Sequence, residues 1–504
     1  MAGRYNVQVL RFLVKDAVVS FIDKLRPSKK LPQLGLVSSE WKPRAAAKFS
    51  DLSLHKSVRK HALIGGMLGI ENPFFREHGS RMGAKTLMDG QEYSNFASYD
   101  YLGLNQHPAV GEAAKAAIDQ YGTSVSASRI VAGERPLHVE LEKALAEYHG
   151  VEDAIAFVSG HATNVSTIST LMGQGDLIVY DEFMHNSAIV GARLSGATLK
   201  AFRHNDMASL EKILRENRAK HTNALVVVEG VYSMDGDFPD LPRLIELKEH
   251  YGAWLMIDEA HSMGVLGKTG RGIAEHFDVA PRKVDIWMGT LSKTLGACGG
   301  YIAGDKALVE VLKFNAPGFV YSVGLSPPVA AASLKALQLL KAEPERVRRM
   351  QENGLQFLAE AKAAGLDTGT SEGFAVVPVI VGDPVRAVKL TTRLMERGIN
   401  AMPIIFPAVP MKASRVRFFI TSEHTPAQIS EAVRITKEEL DLLKGVTVRD
   451  AHGKGDSQEA IDAVQVPAPG RVAHVDRPSQ GETAERPRAT ADNVVDFNAK
   501  RSSA

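Results

Sequence analysis

Two short segments of the sequence each place reactive side chains directly after an apolar run. Residues 289–296 contain Lys293 after the run 285–288, and residues 258–261 carry an aspartate, a glutamate and a histidine after the run 254–257. A lysine amine that is removed from water loses its proton readily and can bond covalently to an aldehyde. Taken alone, residues 289–296 decide nothing, because a lysine after a strand is more often a solvated surface residue.

The spacing between the two segments indicates that they meet in space. Asp258 and Lys293 are 35 residues apart, which suits one strand, a crossover and the next strand of a parallel sheet. Both strand ends would then open at the same edge, where α/β sheets bind their ligands. The aspartate, the imidazole of His261 and the amine match the needs of pyridoxal phosphate, which requires an anion at its ring nitrogen and a lysine for its aldehyde. An Asp-capped helix start and a metal site are the alternatives for residues 258–261, and the pairing with Lys293 argues against a metal.

Four motifs together resemble one enzyme family. They are residues 98–104, 229–237, 258–264 and 289–296. The chain is similar, over roughly residues 70–440, to the α-oxoamine synthases, which are fold-type I pyridoxal-phosphate enzymes. Most members join an amino acid to an acyl thioester with loss of carbon dioxide. The resemblance implies an α/β fold with a large domain at residues 71–325, built on a mostly parallel seven-stranded sheet, and a smaller C-terminal α/β domain at residues 326–444.

The resemblance also implies roles for four side chains in the reaction. Lys293 would hold the cofactor and then act as the base that removes the α-proton. Asp258 would face the ring nitrogen and keep it protonated, so that the ring accepts electrons. His185 would stack over the ring, and His261 would contact its phenolic oxygen. These four residues are the predicted catalytic residues.

The predicted phosphate site lies where a strand ends at a turn of small residues. Residues 154–158 are typical of a strand, and a helix is predicted to begin near Ala162. Free backbone N–H groups at such a helix start form an anion site, and the family binds the cofactor phosphate there, at Gly160 and His161. The remaining predicted cofactor contacts are Ser233, Thr290 and Ser322, the last in the segment that reaches the second subunit of a homodimer with shared active sites.

The predicted strand 414–420 carries two arginines at a spacing of two residues. Arg415 and Arg417 would therefore face the same side of the strand. A basic face on an edge strand is one explanation, because charges there block unwanted pairing. In the family, an arginine at this place binds the carboxylate of the amino acid through a bidentate fork. Alignment with the family's Arg-x-Arg pattern favours Arg417 as the substrate-binding residue.

The substrates are predicted from shorter resemblances. The motifs closest to bacterial serine palmitoyltransferases are residues 202–205, 229–234, 258–264 and 423–426. Residues 133–138 and 159–164 are similar to the synthase domains of polyketide assembly lines, which take acyl groups from a carrier protein. We therefore expect serine to react with a long-chain acyl thioester, linked to coenzyme A or to an acyl carrier protein. The product would be an aminoketone of the 3-ketosphinganine type, at the first step of sphingolipid synthesis.

Other functions fit the same residues. An 8-amino-7-oxononanoate synthase would join alanine to a pimeloyl thioester for biotin, and other glycine or alanine acyltransferases use the same chemistry. An aminotransferase would share Asp258 and Lys293 but would release no carbon dioxide. A non-catalytic partner of an active twin is expected to lack the lysine or the aspartate, and both are present.

The composition predicts a soluble globular protein, and we expect it to be cytoplasmic. Apolar residues make up 44% and charged residues 23% of the 504 residues. The net charge of +2 gives no indication of a nucleic-acid partner, and neither glycine-rich nucleotide-binding pattern is present. The single cysteine, Cys298, excludes an internal disulfide framework and fits a reducing compartment. No apolar run is long enough to cross a membrane.

The two ends of the chain differ from the predicted domains. Residues 1–70 are predicted to be a helical extension and linker, in which residues 6–25 carry an apolar stripe at helical spacing. This helix would dock on the domain or on a second subunit, or it would make peripheral contact with a membrane surface. Residues 445–504 are polar and contain few large apolar side chains, which is typical of a disordered tail.

Overall fold

The computed structural model describes residues 48–67, 72–410 and 412–444. The predicted helix at residues 6–25 and the predicted tail at residues 445–504 lie outside the described residues. No helix within the described ranges is long and apolar enough to cross a membrane.

The chain divides into two compact units, Met1–Ala62 and Leu63–Ala504. The described residues of the first unit form a 3₁₀ turn, Phe49–Asp51, and most of the first helix. Everything that bears on the candidate site belongs to the second unit.

The described residues contain thirteen β-strands, numbered in chain order. They are β1 (Lys85–Met88), β2 (Gln91–Asn95), β3 (Asp153–Phe157), β4 (Leu177–Asp181), β5 (Thr198–Phe202), β6 (Ala224–Glu229), β7 (Trp254–Asp258), β8 (Ile286–Thr290), β9 (Gly300–Gly304), β10 (Val376–Gly382), β11 (Ile399–Asn400), β12 (Met402–Ile404) and β13 (Ser414–Phe419).

The same residues contain fourteen α-helices. They are α1 (Ser53–Met67), α2 (Pro108–Tyr121), α3 (Pro136–His149), α4 (Gly160–Leu171), α5 (Asn186–Ser195), α6 (Met207–Asn217), α7 (Leu241–Tyr251), α8 (Ile273–His276), α9 (Lys306–Asn315), α10 (Pro317–Val320), α11 (Pro327–Ala342), α12 (Glu345–Ala363), α13 (Pro384–Glu396) and α14 (Pro426–Leu442).

A seven-stranded sheet forms the centre of the second unit. Its strand order is β3-β9-β8-β7-β6-β4-β5. Every neighbouring pair is parallel except the two that involve β9. This confirms the predicted α/β fold with a mostly parallel seven-stranded sheet.

The central strands are continuous apolar runs because both faces of the sheet are covered. All six residues of β6 are buried. Val226 and Val228 pack into the core on one face, and Leu225 and Val227 pack into the core on the other. The run ends on an acid, Glu229, so polar chemistry is confined to the carboxyl edge of the sheet.

Helix starts follow the capping residues in the sequence. The Ser159 hydroxyl accepts a hydrogen bond from the Ala162 N–H at 3.4 Å and caps α4, which begins two residues earlier than the predicted start. Asp240 caps α7 by accepting from the Arg243 N–H at 3.1 Å. The Ser159 cap lies two residues after the end of β3, beside the predicted phosphate site.

β1 and β2 form the hairpin that the Asp89-Gly90 pair predicts. Both residues have positive φ, 51° and 77°, as a two-residue type I′ turn requires. β2 also pairs in parallel with β11, and the Asn400 side chain donates to the Asn95 side chain across this pairing at 2.8 Å. The hairpin of β1 and β2 therefore shares a sheet with residues from near the end of the described chain.

A third sheet, β10-β13-β12, belongs to the C-terminal part of the chain. Its side chains pack with α12, α13 and α14 into a separate apolar core that contains Phe357 and Phe418. Phe96, which directly follows β2, is buried in the same core. The predicted domain bounds at residues 71–325 and 326–444 stay predictions.

Candidate active site

Lys293 lies in a turn that begins where β8 ends. The turn is closed by a hydrogen bond from the Gly296 N–H to the Lys293 carbonyl at 2.8 Å. Gly296 has a φ of 59°, and a Cβ there would lie 2.8 Å from the Asn105 backbone, so glycine is required. Burial lowers the pKa of the Lys293 amine to about 8, although the carboxylates of Asp258 and Glu229 oppose the shift. The amine is therefore far more often neutral at pH 7 than an ordinary lysine.

Asp258 ends β7, on the strand beside the one that leads to Lys293. β7 and β8 are parallel neighbours, with Asp258 opposite Met288. The carboxylate is buried and accepts hydrogen bonds from the Ala260 N–H at 3.0 Å and from the Asn164 side chain at 2.8 Å. The structure brings the aspartate and the lysine to the same edge of the sheet, as their spacing in the sequence indicates.

A chain of hydrogen bonds connects Asp258 to His185. Asn164 donates to Asp258 at 2.8 Å and to the Ser187 hydroxyl at 2.9 Å. The Ser187 hydroxyl lies 2.7 Å from His185 Nδ1, and the Ser187 N–H donates to the same nitrogen at 3.3 Å. Because Nδ1 accepts, the proton of the neutral imidazole is on Nε2. The sequence predicts Asp258 and His185, at the two ends of this hydrogen-bond network, but not Asn164 or Ser187 between them.

The imidazole of His185 is neutral at pH 7. Its partial burial lowers its pKa, Asp258 opposes the shift, and the positive charge of Lys293 and the nearby His161 ring lower the pKa further. His185 itself is exposed on one side, at the start of α5. His161 is also exposed, near the start of α4. A flat neutral ring with one open side suits stacking against an aromatic ligand.

Glu229 is a buried acid that sequence reasoning did not single out as a site residue. Its Oε2 accepts from the Ser233 N–H at 3.2 Å, while Oε1 has no hydrogen-bond partner in the described part of the chain. Burial raises the pKa of Glu229 to about 8, Asp258 adds to the shift, and Lys293 opposes it. The signal for this residue was its place at the end of an apolar run, the same place that Asp258 has one strand later.

His261 packs in a ring of aromatic side chains beside these groups. Its Nδ1 lies 2.6 Å from the Tyr101 hydroxyl, and its ring is parallel to that of Phe419 at a centroid distance of 6.2 Å. Burial holds the pKa of His261 well below its usual value, and the charges of Lys293 and Arg417 push it in the same direction. His261 is therefore neutral and close to both cations.

The two arginines of β13 reach the same turn but have different partners. Arg415 forms an ion pair with Asp235 at 2.6 Å. Arg417 donates to the Ser233 carbonyl at 2.8 Å and lies 4.3 Å from the centre of the Phe419 ring. The Nε of Arg417 is buried without a hydrogen-bond partner among the described residues. Arg415 is therefore already paired with a carboxylate, and Arg417 is not. Their spacing in the sequence does not predict this difference.

The start of α4 and the end of β8 form a close-packed cradle. The Thr290 hydroxyl donates to the Gly299 carbonyl at 2.9 Å and accepts from the Ser292 N–H at 3.2 Å. A Cβ at Gly160 would lie only 2.9 Å from the Thr290 hydroxyl oxygen. A glycine is therefore needed for the helix start to approach β8 this closely. Backbone N–H groups at a helix N-terminus, next to a hydroxyl, are suited to a phosphate.

These features fit the groups of pyridoxal phosphate. The buried Asp258 carboxylate suits a protonated ring nitrogen, and the amine of Lys293 has the lowered pKa that bonding to an aldehyde requires. The glycine cradle at Gly160 suits the phosphate. The Oε1 of Glu229 is a buried acceptor without a hydrogen-bond partner in the described chain, so the site can accept one more hydrogen bond from a ligand.

Comparison with known proteins identifies the family. The family described as Aminotransferase class I and II matches residues 91–435. The 8-amino-7-oxononanoate synthase of Symbiobacterium thermophilum is 42% identical over 349 residues, which are 69% of this chain and 88% of that protein. The chain belongs to the α-oxoamine synthases. It is therefore a pyridoxal-phosphate-dependent enzyme of the acyltransferase type.

Other relatives and solved structures agree with this assignment. The 8-amino-7-oxononanoate synthase 1 of Bacillus subtilis is 38% identical over 72% of this α-oxoamine synthase and 93% of its own length. A serine palmitoyltransferase of Sphingomonas wittichii superposes with a TM-score of 0.75, at 28% identity, over 79% of this chain and 99% of that one. The 8-amino-7-oxononanoate synthase of Francisella tularensis gives a TM-score of 0.61, at 27% identity, over 69% and 98% of the two chains. The fold is that of fold-type I pyridoxal-phosphate transferases.

One predicted cofactor contact of the α-oxoamine synthase depends on a second subunit. Ser322 lies between α10 and α11, and its predicted contact is with the cofactor phosphate of the other subunit. It stays a prediction. The other predicted residues gather at the carboxyl edge of the central sheet or, for Arg417, at the turn that follows β6.

Proposed function

We propose that this α-oxoamine synthase joins alanine to a pimeloyl thioester and forms 8-amino-7-oxononanoate. Relatives with that name, from Symbiobacterium thermophilum and Bacillus subtilis, are 42% and 38% identical to the chain over 88% and 93% of their own length. This similarity is the observation that carries the proposal. The carbon count agrees with the product name, because seven acyl carbons and the two that alanine keeps after losing carbon dioxide make nine. The expectation of serine and a long acyl chain becomes the second candidate.

In this proposal, the carboxyl edge of the central sheet holds the cofactor. Lys293 would hold the cofactor through its aldehyde, Asp258 would bind the ring nitrogen, and His185 would stack on the ring. When bound, pyridoxal phosphate draws electrons from the α-carbon of the amino acid, so that its proton can be removed. The remaining contacts are His261 and Ser233 near the phenolic oxygen, and Gly160, His161, Thr290 and, across subunits, Ser322 at the phosphate.

Arg417 binds the carboxylate of the amino acid. Its Nε is buried without a partner in the described chain, so a carboxylate oxygen that arrives there satisfies a donor that otherwise has none. Arg415 is already neutralised by Asp235. An arginine fork holds a carboxylate in a fixed plane, which orients the α-carbon next to the amine that must take its proton.

Lys293 accepts the α-proton once its amine is free. Its lowered pKa of about 8 lets it hold a proton and also release it near neutral pH. A carbon–carbon bond then forms between the α-carbon and the acyl carbon, and the carbon–sulfur bond breaks. The thiolate leaves and takes a proton from solvent, the carboxylate of the amino acid leaves as carbon dioxide, and Lys293 returns its proton to the α-carbon. His185 and His261 are neutral, so they contribute hydrogen bonds without adding positive charge.

We also propose that the enzyme is a homodimer whose sites are shared. Two large apolar side chains that flank Ser322 are open to solvent in the single chain: Tyr321 and Val323 are 85% and 50% exposed. Exposed apolar side chains that cluster in one place mark a surface for another protein. Sedimentation should give twice the chain mass of 54.6 kDa. A fully active monomer would contradict this proposal.

A substrate matrix tests the proposed reaction. The purified enzyme is incubated with alanine, serine or glycine, each with pimeloyl-CoA or palmitoyl-CoA and with the same acyl groups on an acyl carrier protein. Released thiol gives the rate, and mass spectrometry gives the product. We expect the highest kcat/KM for alanine with the pimeloyl thioester, and no thiol release by the Lys293→Ala control. Faster turnover of serine with the palmitoyl thioester would replace the proposal by the second candidate.

The second candidate is a serine palmitoyltransferase. The observation in its favour is structural: serine palmitoyltransferase from Sphingomonas wittichii has a TM-score of 0.75, against 0.61 for the 8-amino-7-oxononanoate synthase from Francisella tularensis. Peripheral membrane contact through residues 6–25 belongs with this candidate, because its substrate is a lipid chain. Binding of the purified enzyme to anionic vesicles, compared with a variant lacking residues 1–30, measures that contact.

A further inference from the structure

His204 is a fully bonded histidine close to the site, and the reaction proposed above gives it no role. It follows β5 and lies between two buried carboxylates. Its Nδ1 is 2.9 Å from Asp181 Oδ1, and its Nε2 is 3.0 Å from Asp237 Oδ2. The two acids have exposures of 0% and 5% of the whole residue, and the histidine side chain is 12% exposed. Such an arrangement places one ring against two acceptors.

Two ionised carboxylates, one at each ring nitrogen, are satisfied together only when the ring carries both protons. A neutral imidazole has one donor and one acceptor, and it could satisfy only one of two carboxylates. Burial alone would lower the pKa of His204, but the hydrogen bonds and charges of Asp181 and Asp237 outweigh it and raise the pKa to about 10. His204 is therefore an imidazolium cation over the whole physiological range.

Neighbouring side chains hold the ring in place. Phe183 stacks against it at a centroid distance of 4.4 Å and an interplanar angle of 26°. Tyr232 meets it edge-on at 4.5 Å and 87°. The other ionisable groups that face it are the Tyr232 phenol, whose pKa burial raises well above its usual value, and Glu182, whose carboxylate accepts the His204 backbone N–H at 2.9 Å. The two carboxylates and the stacked face of Phe183 favour a cation.

The two carboxylates belong to segments that carry site residues. Asp181 ends β4, four residues before His185. Asp237 closes the turn that contains Ser233, because its carbonyl accepts the N–H of the residue just before that serine at 2.8 Å. Asp237 also accepts from the Thr370 hydroxyl at 2.6 Å, in the segment that precedes β10. One cation therefore connects three segments of the chain.

We propose that His204 is a positioning residue, whose imidazolium clamps the segment that carries His185 to the turn that carries Ser233. Its place in the reaction rests on the roles proposed for those two residues. The clamp itself does not rest on them, so its failure can be distinguished from a failure of the proposed function.

The first experiment measures the clamp without any substrate. The protein is freed of cofactor, and its unfolding temperature is measured from pH 6 to pH 10 for the wild type, His204→Gln and the control His424→Gln. The control removes another buried histidine, which contacts the backbone of Thr421 and Asn95 instead of carboxylates.

The sign of the pH effect follows from the raised pKa. The stabilisation is complete below the unfolded-state pKa of histidine, roughly 6.5, and it is lost as the pH rises towards about 10. We expect the wild type and His424→Gln to lose stability over this range more steeply than His204→Gln, which starts from a lower unfolding temperature. Equal slopes for the wild type and His204→Gln would overturn the clamp.

The second experiment asks whether the clamp positions the site. In the holoenzyme, His204→Gln should weaken the circular dichroism of the bound cofactor and raise the KM of the amino acid by roughly tenfold, on the scale of partners that orient binding groups. The double variant His204→Gln/Asp237→Asn should recover part of the loss, because it removes one of the two uncompensated charges. An unchanged dichroism and KM, with only a lower unfolding temperature, would reduce His204 to a structural residue and overturn the proposal.

Asp237→Asn is the variant to use if His204→Gln does not fold. It keeps the shape of the side chain and removes one of the two charges that hold the proton on the ring. Its alkaline loss of stability should begin at lower pH than that of the wild type. If the unfolding temperature of Asp237→Asn falls over the same alkaline pH range as that of the wild type, Asp237 does not stabilise the imidazolium. The proposed clamp is then contradicted.

Discussion

Two clusters of buried charge lie at the carboxyl edge of the same sheet, and they are built from the same kinds of group. One contains Lys293 with Asp258 and Glu229, and the other contains His204 with Asp181 and Asp237. In the second cluster both carboxylates bond to the base, whose pKa rises to about 10. In the first, Asp258 bonds to Asn164 and Glu229 bonds to Ser233, burial prevails, and the pKa of the base falls to about 8.

The two bases differ in pKa because the carboxylates around them have different hydrogen-bond partners. A base that is bonded directly to two acids keeps its proton and becomes part of the structure. A base that is buried near acids, but whose acids bond elsewhere, holds its proton loosely and remains available for chemistry. Composition alone does not separate the two cases, and the variants below either break or sharpen the contrast.

The largest effect is expected from removing the reactive base. Lys293→Ala deletes both the cofactor attachment and the proton acceptor, so turnover should fall by at least ~10⁴-fold. The measurement is thiol release under saturating substrate. Lys306→Ala, whose side chain is 71% exposed on α9, serves as the matched control and should be as active as the wild type. If borohydride reduction still links the cofactor covalently to the Lys293→Ala variant, the cofactor is attached to another lysine.

The two arginines of β13 differ in the same way: Arg415 is paired with a carboxylate of the protein, and Arg417 is not. Arg417→Ala should raise the KM of the amino acid by about 10²-fold, because a buried charge partner of the substrate is lost. Arg415→Ala leaves the Asp235 carboxylate uncompensated and should lower the free energy of unfolding by about 3 kcal/mol. Steady-state kinetics and urea unfolding measure the two effects. A larger change in KM for Arg415→Ala than for Arg417→Ala would exchange their roles.

The pH dependence of cofactor capture reports directly on the reactive cluster. Only the neutral amine attacks the aldehyde, so the capture rate of the cofactor-free protein should rise with pH, with a midpoint near the Lys293 pKa of about 8. Glu229→Gln removes a carboxyl group that becomes negative near pH 8 and then favours the ammonium form of Lys293, so the midpoint should move to lower pH. Stopped-flow absorbance measures the rate. A midpoint at the pH of an ordinary lysine would show that the amine is not desolvated.

The smallest effect is expected from the hydrogen-bond chain behind His185. Ser187→Ala removes the hydroxyl that links His185 to Asn164 and should cost about 1 kcal/mol, or roughly fivefold in kcat/KM. Ser195→Ala, on the last turn of the same helix, is the control, because its hydroxyl bonds only to nearby backbone groups. If both variants have the same kcat/KM, the hydrogen bonds behind His185 do not orient it.

The sequence predicts much of the catalytic edge because strand ends are local signals. Apolar runs that end in Asp258 or in the turn of Lys293 mark the edge of a parallel sheet, and their spacing places them on neighbouring strands. Asn164, Ser187 and Glu229 were not singled out as site residues because their importance comes from contacts between segments far apart in the chain. The preference for Arg417 over Arg415 came from family alignment, and only the ion pair of Arg415 with Asp235 gives it a physical reason.

The pairing of β2 with β11 has a consequence for how the protein is made. Asn95 and its partner Asn400 are separated by 305 positions, so on a ribosome the hairpin emerges long before the strand that completes its sheet. At about 5–20 residues per second, that delay is roughly 15–60 seconds. During this delay β2 has no β11 to pair with, and the side chain of Phe96 is not yet buried in the C-terminal core. We therefore expect a chaperone to bind this segment. A nascent chain stalled before residue 399 should therefore be captured, and a finished one released.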